Sequence, residues 1–137
     1  PTTPDDSRAR GPSPTAGRTV LLTVPADTDV LALVRLNAAM LGAFANFTVD
    51  EVDDMRIAVD EAVAHVASLE GASEIHLRFE VGPTSLVIEV DRGATDRAEP
   101  LSDLALIVLQ ATTDEFTDEH RDGHYRFRMV KHHAAEL

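Results

Sequence analysis

The stretch from Glu74 to Val90 constrains this chain more than any other. Glu74–Val81 reads EIHLRFEV, polar and apolar in alternation, and Ser85–Val90 reads SLVIEV beyond a Gly82-Pro83 turn. Successive side chains of a strand point to opposite faces, so a period of two marks a half-buried strand. The two runs therefore predict a hairpin with one apolar face that another layer must cover. The opposite face needs charge or a partner.

The flanking segments supply the cover. Thr19–Val24 is β-branched and apolar, and Pro25 stops it, which predicts a first strand. Asp27 or Thr28 can cap a helix in which Val30, Leu33, Val34, Leu36, Met40, Leu41 and Phe44 predict a broad buried face. Thr48 followed by Glu51 is a capping box, each side chain satisfying a free N–H of the first turn. The second helix runs to about Leu69, with Val52, Met55, Val59, Val63 and Val66 on one stripe, and Gly71 is expected to end it. Beyond the hairpin come a polar loop (Asp91–Pro100), a short apolar helix (Leu101–Ala111) and a brief strand (Asp114–Thr117). Asp122-Gly123 is a turn, and Tyr125, Phe127 and Met129 alternate along a last strand. The order β-α-α-β-β-α-β-β predicts an α+β two-layer sandwich, helices on one face of a mostly antiparallel sheet.

Composition narrows the function classes. A length of 137 residues fits one domain, and the absence of cysteine excludes disulfides and thiolate chemistry. A net charge of −12, with Lys131 the single lysine, argues against nucleic acid and suits a basic protein partner. No apolar run approaches the roughly 20 residues that cross a bilayer, and no basic-then-apolar signal opens the chain, so a cytoplasmic location is expected. Pro1–Gly17 is rich in Pro, Ser, Thr and charge and reads as a flexible tail; the domain is expected over 18–133, with a short tail at 134–137.

Several segments carry a resemblance in the same order: Val24-Pro25-Ala26, Val34-Arg35-Leu36, Thr48-Val49-Asp50, the run from Asp54 to His65 (DMRIAVDEAVAH), Val90-Asp91-Arg92-Gly93, and Gly123 to Lys131 (GHYRFRMVK). Together they resemble the RsbW/SpoIIAB-type anti-sigma factors, serine kinases of the GHKL ATPase superfamily. The resemblance covers about Arg18 to His132. It implies a Bergerat-type sandwich with a mixed sheet, and a homodimer that binds a sigma factor and an anti-anti-sigma factor in turn.

The resemblance also assigns residues. Glu61 and Ala62 match the helix that carries the family's general base, whereas His65 stands where the family places a magnesium-binding Asn. Magnesium favours hard oxygen ligands, which an imidazole does not offer. Asp91 and Gly93 match the adenine-binding box, with Thr95 replacing its second glycine. Most of the lid is missing, Asp103 puts negative charge where phosphate would sit, and Gly123-His124-Tyr125 replaces Gly-Thr-Thr. The resemblance thus implies a pseudokinase with a vestigial Glu61, no firm ATP or magnesium cofactor, and Arg35 on the first helix as the partner-binding residue. A working serine kinase and a generic protein-binding module are the alternatives. The same residues also have bland readings: Glu61 on a solvated face, His65 as a packed boundary residue, Asp91 and Gly93 as loop residues, Arg35 as an exposed helical cation. His120, His124, His132 and His133 read as hairpin and terminal residues rather than a metal site.

Overall fold

The computed structural model describes residues 17–94 and 99–134. The expectations for the N-terminal tail, for Thr95 and for Ala135–Leu137 lie outside the described residues.

Strand β1 (Arg18–Pro25) leads through a 3-10 turn (Thr28–Val30) into helices α1 (Leu31–Phe44) and α2 (Val49–Ser68). Strands β2 (Glu74–Val81) and β3 (Ser85–Gly93) form the central hairpin, followed by α3 (Asp103–Thr112), β4 (Glu115–Arg121) and β5 (His124–His132). The sheet order is β1-β2-β3-β5-β4, and all four pairings are antiparallel. Helices α1 and α3 pack on either side of α2, and the inward residues of the sheet close the core beneath them.

Alternation decides which residues reach that core. Ile75, Leu77, Phe79 and Val81 of β2 meet Leu86, Ile88 and Val90 of β3 and Tyr125, Phe127 and Met129 of β5, all buried. Each such large side chain contributes about 1.5–3 kcal/mol by leaving water. The opposite face is covered by charge rather than by a layer. Arg78 lies 2.7 Å from Glu80 and 3.4 Å from Glu89, and Asp91 accepts from His124 and Arg126 at 2.9 Å. Exposed pairs of this kind add little stability, but they keep the face soluble.

The capping box at α2 forms as expected: Thr48 accepts from the Glu51 N–H, and Glu51 accepts from the Thr48 N–H. The same buried carboxylate also accepts from His133 Nδ1 and the Ala134 N–H, both at 2.7 Å. Burial alone would raise the Glu51 pKa. These hydrogen bonds overcome it and hold the group at about 2.

Three local expectations need correction. Asp27 caps the 3-10 turn, so α1 begins later, at Leu31. Helix α2 ends at Leu69 in an extended conformation, and Gly71 is no left-handed cap. It is needed for a close approach instead, because a Cβ there would lie 2.0 Å from the Gly93 carbonyl oxygen. The broad buried face of α1 is only half buried: Val34, Ala38 and Leu41 are covered, whereas Leu33, Leu36, Met40 and Phe44 are exposed.

The C-terminus of α2 depends on Arg92. Its guanidinium is buried and donates to the carbonyls of Val66, Ala67, Leu69 and Ala72 at 2.6–3.2 Å. Removing it leaves buried carbonyls unpaired at the end of the central helix. Arg92→Met is therefore expected to lower the unfolding free energy by about 3 kcal/mol in urea denaturation, and Arg78→Met by less than about 1 kcal/mol.

Candidate functional site

Helix α2 presents Glu61 and His65 one turn apart on the side that faces the approach to α3. Both are half-buried. The His65 ring sits edge-on to Tyr125 with centroids 5.5 Å apart, and its Nε2 is buried without a hydrogen-bond partner among the described residues. Tyr125 is 1% exposed and donates to Asp118 at 2.8 Å. Burial first, then the Asp118 carboxylate, pushes the phenol pKa up. Two positions where the resemblance places a magnesium-binding Asn and the last Thr of Gly-Thr-Thr thus hold rings packed against each other. Burial pulls the His65 pKa below its usual value, opposed by Asp118 and Glu99.

Asp91 is not in this place. Val90 and Arg92 point inward, so Asp91 points to the far side of the sheet. There it lines an open groove of about 370 Å³ with Leu21, Thr23, His76, Glu89 and Arg126. Its two oxygens are taken by His124 and Arg126. Gly93 contributes its carbonyl, which accepts from the Ala72 N–H at 2.8 Å. A Cβ on Gly93 would make an ordinary 3.4 Å contact with Ala72, so nothing in the fold requires glycine there. Glu61 and Asp91, the two acids that the resemblance groups around one nucleotide, lie on opposite sides of the sheet. Asp103 occupies the first turn of α3, behind the Ser102 cap, and is exposed.

Arg35 faces α2, where its Nε donates to both Asp60 oxygens at 3.0 and 3.1 Å. At 100° per residue it projects roughly 100–180° around the helix from Leu33, Leu36, Met40 and Phe44. Those four form a separate stripe, 53–60% exposed, on the flank away from α2. Phe44 meets the guanidinium of Arg18 at 5.5 Å, which places the stripe beside β1, one of the two sheet edges. Arg35 and the stripe are thus two features of one helix. The stripe was missed because helical periodicity tells an apolar face but not whether a second layer covers it. One available signal was charge: Val30–Val49 contains no acid in a chain that carries 24. Arg92 was missed too, although the inward register of Leu86, Ile88 and Val90 extends to it by one step.

No family model matches the chain. Two curated relatives, named serine-protein kinase RsbW, come from Bacillus velezensis and Bacillus subtilis. Each is 30% identical over 101 residues, covering 69% of this chain and 63% of the relative. The chain thus spans less than two thirds of these relatives. Among solved structures, the RsbU and RsbW domains of Rv1364c from Mycobacterium tuberculosis match with a TM-score of 0.67 and 15% identity, over 84% of this chain and 32% of that one. That likeness shows the fold. No helix of the described residues is long and apolar enough to cross a membrane.

The environment of His65 has a pH consequence. A histidine whose pKa is lowered by folding contributes stability that is complete above the unfolded value of 6.5 and is lost as pH falls below it. The midpoint of urea unfolding is expected to drop between pH 7.5 and 5.5, and to drop less in His65→Gln. An equal drop in both proteins would place the effect elsewhere.

Proposed function

We propose that this domain, an RsbW-type protein by its relatives and its fold, acts as an anti-sigma factor. It holds a sigma factor away from RNA polymerase and gives it up when an anti-anti-sigma protein competes for the same surface. The observation that carries this reading is the stripe Leu33, Leu36, Met40 and Phe44, left in water on the flank of α1 beside the β1 edge. Stripes of large exposed side chains at helical spacing mark interaction surfaces. Beside it, the free edge of β1 and the acid-free run Val30–Val49 give the face a neutral-to-basic character on a chain of net charge −12. A homodimer, which the family resemblance implies, has the same flank available. Arg35 belongs to the reading through its terminal NH groups, because Asp60 holds only its Nε.

The reading includes a lost or weak kinase step. The residues present do not fit a magnesium–ATP complex. His65 offers an imidazole in place of an amide oxygen, with Tyr125 packed against it. Asp91 is turned away from the helical layer and engaged by His124 and Arg126. Glu61 keeps the family's position, half-buried on α2, and among the described residues no cation pairs with it.

Two measurements test the proposal. A pulldown from the source cell with mass spectrometry is expected to recover a sigma factor, and Leu36→Glu/Met40→Glu to weaken that capture by tenfold or more, about 1.4 kcal/mol. Arg35→Ala is expected to weaken it less, since that side chain is tied to α2. Recovery of neither a sigma factor nor an anti-anti-sigma protein would overturn the reading. Calorimetric titration with Mg-ATP is expected to give no binding tighter than about millimolar; micromolar binding would restore the kinase alternative.

A further inference from the structure

The helical layer leaves a second apolar surface, on the other side of α2 from the α1 stripe. On α3, Leu104 is 69% and Ile107 61% exposed, while Ala105, Leu109 and Thr112 on the opposite side of the same helix are buried. Leu104, Ile107 and Ala111 are spaced i, i+3, i+7 and so form one stripe turned away from the sheet. Ile57, 46% exposed, adds a large apolar side chain on the solvent side of α2.

The setting of this surface differs from that of α1. Asp103 precedes Leu104, and Glu99 leads into the helix. On α2, Asp50, Asp53 and Glu61 stand i−7, i−4 and i+4 from Ile57, on the same face. Among the described residues, Asp50, Glu61 and Asp103 enter no ion pair. Arg56 lies 3.4 Å from Asp53, and Asp50 and Asp103 are exposed. Apolar anchors on two packed helices, rimmed by unpaired carboxylates, match the apolar stripe and cationic rim of a basic amphipathic helix. The same acids repel nucleic acid and anionic lipid surfaces. They also repel a second copy of a chain with net charge −12.

We propose that the α2–α3 face is a docking site for a basic amphipathic helix of another protein, separate from the α1 stripe. The site gives the domain two partner surfaces of opposite electrostatic character. It does not depend on the sigma-factor reading, and either can fail alone.

The test uses the intact chain and a labelled synthetic helix of about 18 residues, with Leu at i, i+3, i+4, i+7 spacing and Lys elsewhere, and a counterpart with Glu for Lys. Fluorescence anisotropy is expected to show saturable binding of the Lys peptide and none of the Glu peptide. Leu104→Ser/Ile107→Ser is expected to weaken binding about tenfold. Asp50→Asn/Asp103→Asn is expected to weaken it and to flatten its salt dependence. Leu36→Ser/Met40→Ser is expected to leave it unchanged. Absence of saturable binding, or equal loss in the α1 and α3 variants, overturns the proposal. So does a change of oligomeric state in Leu104→Ser/Ile107→Ser by sedimentation, which would assign the face to a second copy.

Discussion

Helix α2 is held at each end by one buried charge, and the rest of the domain is built around it. At its N-terminus the Glu51 carboxylate closes the capping box and takes the Ala134 N–H and His133, so the last described residues are fastened to the first turn. At its C-terminus the Arg92 guanidinium gathers four carbonyls from the last turn and the connection to β2. An anion at the start and a cation at the end also match the helix dipole. Because Arg92 belongs to β3 and His133 follows β5, these contacts fix how the helical layer sits on the middle of the sheet. The Lys131–Asp54 pair, at 3.1 Å with the lysine 12% exposed, adds a third tie of the same kind.

The layout was legible because it rests on local rules. A period of two over Glu74–Val90, a capping box at Thr48 and a turn at Asp122-Gly123 each have one physical solution, and each is found where the residues place it. What was not legible is relational. The seven apolar positions of α1 predict a face, yet Val34 and Leu41 are covered while Leu33 and Met40 are not. Only the position of α2, fixed partly by Arg35 reaching Asp60, decides between them. Gly71 likewise reads as a helix stop, when its real constraint is the Gly93 carbonyl brought to it by the partner strand. For the candidate site, the motif matches could be read from the residues, whereas the face each one occupies needed the strand register as well. Asp91 matches a motif, but a period of two assigns it to the outer face once Val90 is recognised as core.

The same logic separates what is kept from what is filled. The α2 stripe Met55, Val59, Val63 and Val66 is fully buried, so the scaffold around Glu61 is intact. The neighbouring space is occupied by His65 and Tyr125, with Tyr125 anchored through Asp118. Ring contacts and one hydroxyl–carboxylate bond fill that space, and among the described residues the His65 Nε2 has no partner.

The surface is divided by charge. With 24 acidic residues against 12 basic ones, two runs of 20 residues, Ser7–Ala26 and Val30–Val49, still carry no acid, and the second of them contains helix α1. An acid at Leu36 or Met40 would cost the fold little, because both positions are exposed. Their apolar character is therefore not explained by the core. On α3 the exposed Leu104 follows Asp103 directly, so the same apolar exposure there comes with negative charge. A cationic helix is matched to the α3 side and gains no charge contact from the acid-free α1 side. The distribution of charge around two uncovered stripes, rather than any pocket, is the feature of this domain that distinguishes one class of partner from another.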